Sequence, residues 1–181
     1  MNEVSVFAPS SIGNIGPGFD LLGMAIAGMG DRVIAKRVRK PGVVITEIIG
    51  ASLSLRSDEN TAGIAATAVQ SHLRGKGGVS LRLYKGVPGT GLGSSAASAV
   101  AAAYATNLLF GGKLTREELI PLAAIAEAKV SGGFFLDNIG PSMMGGITWN
   151  NPFTREVVRL GTLEEAIVVV ATPDFPLLTR E

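Results

Sequence analysis

The stretch from Ala96 to Phe110 limits the possible folds of this chain more than any other, because it is apolar on nearly every side of a helix. A helix with one apolar stripe lies on a surface, whereas a helix that is apolar all round must be covered all round. The stretch contains polar residues such as Ser98 and Asn107, and it is shorter than the roughly 20 residues that a membrane span needs. We therefore predict a helix buried inside a soluble domain.

Alternating apolar residues, capping residues and turns predict the elements around this helix. Val79, Leu81 and Leu83 alternate with polar neighbours, which is typical of a strand with one buried face. The run Thr115-Arg116-Glu117-Glu118 matches a capping box, which begins a helix. In chain order, the predicted elements are strands over residues 4–8, 31–38 and 43–49, a helix over 61–73, a strand over 79–85, helices over 96–110 and 116–130, and strands over 147–150, 156–159 and 166–172.

The order of these elements predicts an α+β fold with a mixed sheet. Strands and helices are interleaved, but the strands do not each precede a helix, as they do in a doubly wound fold. Pro41-Gly42 separates the second predicted strand from the third, which predicts a hairpin or an adjacent antiparallel pair. A chain of 181 residues is long enough to bury a substantial core.

Charge and cysteine content exclude several kinds of protein. The formal net charge is +1, and the densest basic cluster, residues 36–40, is too small for a nucleic-acid-binding surface and is typical of a solvated strand end. Without cysteine, the chain forms neither disulfides nor thiolate zinc sites. Its first residues lack the pattern of a signal peptide. We expect a cytoplasmic protein that binds neither nucleic acid nor a membrane.

A glycine-rich segment lies between the predicted strand 79–85 and the buried helix. The start of a helix presents unpaired N–H donors and a positive dipole end, and glycines let the backbone wrap an anion closely. Ser94 and Ser95 add hydroxyls that can cap the helix, donate to phosphate oxygens or bind Mg²⁺. The spacing fits neither a Walker A loop nor a dinucleotide fingerprint, and a structural turn remains an alternative. The candidate phosphate-binding residues are Pro88, Gly89, Thr90, Gly91, Leu92, Gly93, Ser94, Ser95, Ala96 and Ala97.

This segment resembles the phosphate-binding motif of the GHMP kinases, Pro-x-x-x-Gly-Leu-Gly-Ser-Ser-Ala. Two further segments resemble the homoserine kinases within that superfamily. Residues 8–23, most closely from Asn14 to Asp20, are similar to their opening motif, Ala-Pro-Ala-Thr-Ser-Ala-Asn-Leu-Gly-Pro-Gly-Phe-Asp-x-Leu-Gly. Residues 137–146, which begin with Asp137-Asn138, are similar to their Asp-Asn-Val-Ala-Pro-x-x-x-Gly-Gly loop.

The resemblance implies a fold and an activity. The expected fold is the two-layer GHMP kinase N-terminal domain, which is similar to domain 2 of ribosomal protein S5, over residues 1–160. Residues 161–181 would begin a ferredoxin-like second domain. The expected activity is transfer of the γ-phosphate of ATP, with Mg²⁺, to the hydroxyl of L-homoserine, a step of threonine biosynthesis. The resemblance is compatible with a homodimer but does not determine whether one forms.

The resemblance also assigns roles to individual residues. Asp20 can pair with the substrate ammonium, while Asn14 and Asn138 supply donors and acceptors without charge. Asp137 would orient or deprotonate the acceptor hydroxyl, although the family is thought to work without a well-defined base. The other implied contacts are Ser94 and Glu127 with Mg²⁺, Asn60 and Lys85 with the adenine, and Thr179 with the substrate.

Several of these residues also have structural alternatives. Asn14 and Asp20 suit glycine-rich turns. Glu127 in a helix, Asn60 as a helix cap and Lys85 at a strand end would equally face solvent.

The sequence departs from the homoserine kinase pattern at two places. Phe135 stands where the family has a histidine, and one extra residue precedes the Asp-Asn pair. The arginine that follows Thr179 by four residues in the family would fall beyond Glu181, and Arg180 is in the wrong register for it. We therefore expect a fragment that is a poor kinase alone and that self-associates through an exposed strand at residues 166–172. The competing functions are another GHMP kinase, acting on mevalonate or a sugar, and a non-catalytic nucleotide-binding module.

Overall fold

The computed structural model describes residues 1–87 and 91–171 of the chain. The elements are β1 (Glu3–Ile12), β2 (Leu22–Val38), β3 (Gly42–Ile49), α1 (Thr61–His72), β4 (Gly78–Tyr84), α2 (Ser94–Leu109), α3 (Arg116–Ser131), α4 (Ile139–Met144), β5 (Ile147–Asn150) and β6 (Val157–Gly161). Most predicted elements are confirmed, including the capping box at Thr115. Two features were not predicted: β2 begins at Leu22, and α4 follows the Asp-Asn pair.

The strands of the described residues form one mixed sheet in the order β3-β4-β2-β5-β6, with β1 also paired to β2. β3 and β4 are parallel, and the other pairs are antiparallel. Val33 of β2 and Leu81 and Leu83 of β4 are buried, whereas their neighbours Arg32 and Arg82 are exposed. Because burial alternates along the strands, the helices cover one face, and the predicted two-layer α+β fold is confirmed.

The predicted pairing of β2 with β3 is wrong. The chain turns at Pro41-Gly42, but β4 returns after α1 and enters the sheet between β2 and β3. Val43 then lies beside Val79 in the parallel β3–β4 pair, and both side chains are buried. A turn reverses the chain locally, whereas the partner of a strand depends on which pairing buries its apolar face.

α2 is the buried helix that its composition predicts. Most of its side chains are buried, and the helix contacts β1, β2, α1 and α3. Its many alanines allow these neighbours to approach closely on all sides. α2 therefore fixes its own first turn, which begins at Ser94, relative to the sheet.

The strand predicted over residues 166–172 is wrong for residues 166–171, which form no regular element. Ile167 is 91% exposed and Val169 is 88% exposed. An apolar run forms a strand only when a neighbouring strand pairs with it. Thr172 lies outside the described residues, and nothing in the structure tests the predicted domain boundary at residue 160.

In the described ranges, no helix combines the length and the apolar character needed to cross a membrane.

Candidate functional site

Three glycine-rich segments meet beside the end of β1. We call them loop 1 (residues 13–21), loop 2 (residues 85–93, of which the structure describes 85–87 and 91–93) and loop 3 (residues 132–138). A side chain added at Gly13 would collide with the Asp137 carboxylate of loop 3. One added at Gly93 would collide with the Ser11 hydroxyl and come within 2.9 Å of Asn138 Oδ1. These close approaches require glycine, and they bring together segments that lie far apart in the sequence.

The start of α2 is arranged to receive an anion. Its N-cap residue is Gly93, in the left-handed conformation with φ 59°, and no side chain of the described residues caps the helix. The N–H groups of the first turn are thus available to a ligand, and the helix dipole adds positive potential.

The other predicted residues of this segment differ in access. Gly91 is exposed, and Leu92, Ser94 and Ser95 are half-buried. Ala96 and Ala97 are fully buried in the core, so their side chains anchor the helix and only their backbone could meet a ligand. Pro88, Gly89 and Thr90 lie outside the described residues.

A buried ion pair between Lys85 and Asp31 closes the base of loop 2. The Lys85 ammonium pairs with Asp31 Oδ2 and donates to the Ser94 carbonyl oxygen at 3.0 Å and to Ser98 Oγ at 2.8 Å. Asp31 also accepts from Ser98 Oγ at 2.6 Å and from the Gly86 backbone N–H at 3.1 Å. β2, the end of β4 and the first turn of α2 are thereby joined by one network.

This network changes the interpretation of Lys85. The residue does not face solvent, because its side chain is almost fully buried. Its three N–H donors all have protein partners, so in this conformation it has none to offer an adenine.

Loop 1 holds Asn14 and Asp20 in left-handed conformations, with φ of 56° and 58°. The Asp20 backbone N–H donates to Asn14 Oδ1 at 2.8 Å, so the Asn14 side chain closes the loop. Both residues are exposed. The Asp20 carboxylate can therefore reach a ligand in solution.

Asp137 of loop 3 is a buried carboxylate with a perturbed pKa. It is 2% exposed. Burial raises the pKa of the Asp137 carboxyl above its ordinary value, and the negative charge of nearby Asp20 raises it further. Hydrogen bonds from the backbone of Asp137, Asn14 and Asn138 oppose the rise. A carboxylate with a raised pKa is a better proton acceptor, which suits a general base.

The Asn138 side chain faces the end of β1. The Ser11 hydroxyl lies 3.0 Å from Asn138 Oδ1 and 3.2 Å from the Asn138 carbonyl oxygen. Asn138 Nδ2 lies 3.4 Å from Asp137 Oδ2. The backbone N–H of Ser11 also donates to the Leu92 carbonyl oxygen at 3.2 Å, so Ser11 contacts both loop 2 and loop 3.

The remaining predicted site residues lie in different parts of the fold or outside the described residues. Asn60 caps α1, since its side chain accepts from the Ala62 backbone N–H at 3.0 Å and donates to the Ser54 carbonyl oxygen at 3.1 Å. Glu127 is buried in α3 and so does not face solvent. Thr179 lies outside the described residues.

The donor atoms of Ser94 and Glu127 fit Mg²⁺ chemically, because hydroxyl and carboxylate oxygens are hard ligands. α3 carries Glu127 and packs against α2, which begins at Ser94. Phe135, at the position of the family histidine, is partly exposed and packs over Gly133.

Ser11 and Asp31 were missed as site residues. Ser11 lies just beyond the predicted strand 4–8 and Asp31 begins the predicted strand 31–38, and neither position indicates which loops these side chains will contact. The residue that could have indicated Asp31 is Lys85 at the end of the strand, because an ammonium that becomes buried requires a partner of opposite charge.

Comparisons with known proteins agree with this geometry. Residues 60–146 match the family model described as the GHMP kinases N terminal domain. The homoserine kinase of Arabidopsis thaliana is 43% identical over 99% of this chain. The crystal structure of homoserine kinase from Cytophaga hutchinsonii superposes with a TM-score of 0.83 at 36% identity, covering 88% of this chain and 52% of that one. A mevalonate kinase from Methanococcus jannaschii, at a TM-score of 0.68 and 16% identity over 88% of this chain and 56% of that one, shares the fold.

The chain spans about half the length of the curated relatives it matches, 51% in the case of the Arabidopsis protein.

Proposed function

We propose that the chain belongs to an ATP-dependent kinase of L-homoserine, because residues 60–146 match the model of the GHMP kinases N terminal domain and relatives named homoserine kinase are similar to it along nearly all its length. The reaction would transfer the γ-phosphate of ATP to the side-chain hydroxyl, giving O-phospho-L-homoserine for threonine biosynthesis. We expect the protein to act in the cytoplasm.

Loop 2 and the first turn of α2 would hold the triphosphate. The uncapped N–H groups after Gly93 supply donors, and the half-buried Ser94 and Ser95 hydroxyls lie beside them. Ser94 and Glu127 would hold Mg²⁺, which neutralises phosphate charge when bound. The contacts of Asn60 and Lys85 with the adenine remain predictions. For Lys85, such a contact would require one of its bonds to Asp31, Ser94 or Ser98 to break.

Loops 1 and 3 would hold the acceptor. The exposed carboxylate of Asp20 is available to pair with an α-ammonium, and Asn14 shapes the loop that presents it. Asn138 would position the hydroxyl, and Asp137 beside it would accept the proton as the O–P bond forms. The contact of Thr179 with the substrate stays a prediction.

One observation carries the proposal: the start of α2 at Gly93 approaches Asn138, which directly follows Asp137. A phosphoryl donor bound at the helix start would therefore lie next to the groups that can orient an acceptor. Phosphoryl transfer depends mainly on such alignment and on charge neutralisation.

The test is coupled ADP release by the complete protein that contains this chain, with ATP, Mg²⁺ and a panel of alcohols. We expect turnover of L-homoserine and less of mevalonate or of an analogue without the ammonium. Because the Asp20 carboxylate is exposed, its pairing with the ammonium is worth up to about 1 kcal/mol, and an analogue without the ammonium should lose about fivefold in kcat/KM. Equal turnover of an uncharged alcohol would overturn the assignment of the substrate, and ATP binding without turnover of any alcohol would favour a non-catalytic module.

A further inference from the structure

Ser11 occupies the junction between the segment proposed to hold ATP and the segment proposed to hold the acceptor. We propose that its hydroxyl is a positioning group that orients the Asn138 amide toward the acceptor hydroxyl. The inference rests on the proposed function and adds a residue to it.

Ser11 makes hydrogen bonds to both loop 2 and loop 3. Its backbone N–H is fixed to Leu92 of loop 2, while its hydroxyl lies within hydrogen-bond distance of two oxygens of Asn138. Gly93, the N-cap of α2, lies against the same hydroxyl. A movement of either loop relative to the other would have to break one of these contacts.

The chemistry of the two side chains determines what Ser11 does. A serine hydroxyl has one proton to donate, and a neutral amide presents one acceptor and one donor face. When Asn138 Oδ1 accepts from Ser11, Asn138 Nδ2 is turned toward the Asp137 carboxylate. The Ser11 hydroxyl therefore selects one of the two amide orientations and places the N–H groups of Asn138 on the side of Asp137.

The backbone explains why Ser11 has this position. The pairing of β1 with β2 shifts between Pro9, opposite Gly30, and Ser11, opposite Ala25. Irregularities of this kind redirect the side chains that follow them. Ser11 consequently meets loop 3 and the start of α2.

The preceding residue provides a matched control. Ser10 is fully buried, as is Ser11, but its hydroxyl has no hydrogen-bond partner among the described residues. Ser10→Ala thus removes a buried hydroxyl from the same strand without touching Asn138. Ser11→Thr keeps the hydroxyl at position 11, so it serves as the conservative rescue.

The kinetic test compares the three variants in the complete protein. For Ser11→Ala we expect kcat with L-homoserine to fall about five- to tenfold, the range that one lost neutral hydrogen bond produces. The dissociation constant for ATP should stay within about twofold, because the amides of α2 are unchanged. Ser11→Thr should recover most of kcat, and Ser10→Ala should match the wild type.

A second readout does not depend on the substrate. In protein labelled with ¹⁵N, the side-chain amide of Asn138 should shift or split in Ser11→Ala but not in Ser10→Ala. If the wild type does not phosphorylate L-homoserine, the proposed function is wrong and the positioning role is judged on this signal alone. If the wild type is active, an unchanged kcat in Ser11→Ala, an equal loss in Ser10→Ala, or an unchanged Asn138 signal overturns the inference.

Discussion

Position 93 combines two requirements that only glycine meets. Its φ of 59° lies in the left-handed region, which residues with a side chain rarely adopt, and a side chain there would collide with Ser11. Gly93→Asp adds a negative charge at the proposed triphosphate site as well. We expect ATP binding to weaken by about 100-fold or more, measured by calorimetry, because like charges repel at a helix N-terminus.

Gly112 separates backbone strain from the loss of the anion site. It has a similar φ of 64°, but it lies beyond the other end of α2. Gly112→Asp should therefore show comparable strain while it keeps the affinity for ATP. Unchanged ATP affinity in Gly93→Asp would refute the assignment of loop 2 to the triphosphate.

Asp137 links stability to pH in a direction that can be measured. Because its pKa is raised in the folded protein, its charged form is disfavoured by folding, and it destabilises the protein above that pKa. The penalty is absent below the ordinary pKa of 3.8 and grows as pH rises through the raised value. At pH 7 we expect Asp137→Asn to melt about 2–4 °C higher than the wild type, the shift from roughly 1 kcal/mol in a chain of this length.

The melting curves should converge as the pH is lowered, since the wild-type carboxyl then becomes neutral. The same variant should lose kcat if Asp137 accepts or orients the proton. Glu156→Gln removes an exposed carboxylate and serves as the matched surface control. A melting difference that is constant with pH would argue against a buried, perturbed carboxyl.

At the scale of elements, the Asp31–Lys85 pair joins β2, β4 and α2. Removing one partner leaves a buried charge without compensation, which costs about 3–5 kcal/mol. We therefore expect Asp31→Asn and Lys85→Met each to lower the free energy of unfolding by that amount in denaturant titrations. The double variant should lose much less than the sum, because no lone charge remains.

The exposed pair of Glu47 and Arg82, with an Nε–Oε2 distance of 2.8 Å, is the matched comparison on the same sheet. Glu47→Gln should change the free energy of unfolding by less than about 1 kcal/mol. If Asp31→Asn proves equally mild, the buried network does not hold the base of loop 2.

Local signals in the sequence predicted most helices and strands, whereas contacts between segments that are distant in the sequence were harder to predict. The cap at Asn60 and the capping box at Thr115 are contained within a few residues, so they could be recognised directly. The insertion of β4 between β2 and β3 depends on the whole sheet, and the turn at Pro41-Gly42 carries no information about it.

The candidate site shows the same difference between local motifs and long-range contacts. The glycine-rich motif of loop 2 is continuous in the sequence. The contacts of Ser11 and Asp31 with residues up to 127 positions away exist only after folding.

At the scale of the whole molecule, loops 1 to 3 all belong to the sheet domain, whereas the chain covers only 51% of the Arabidopsis homoserine kinase. The arginine that the family resemblance pairs with Thr179 would come after residue 181. A polypeptide of residues 1–181 should therefore bind ATP through loop 2 but hold L-homoserine incompletely. Because transfer depends on alignment, we expect kcat on the order of 100-fold below that of the same chain extended to the length of its relatives, measured as coupled ADP release.

Self-association should accompany this loss, although not through the strand edge that the sequence predicted. Residues 166–171 form no strand, but the side chains of Ile167 and Val169 are almost fully exposed to water, and burying them against a second copy would remove that surface. Sedimentation of the polypeptide 1–181 should show dimers or larger species, and the double variant Ile167→Ser, Val169→Ser should shift it toward the monomer with unchanged ATP affinity. A monomeric wild-type polypeptide with the kcat of the extended chain would show that loops 1 to 3 form a complete site by themselves.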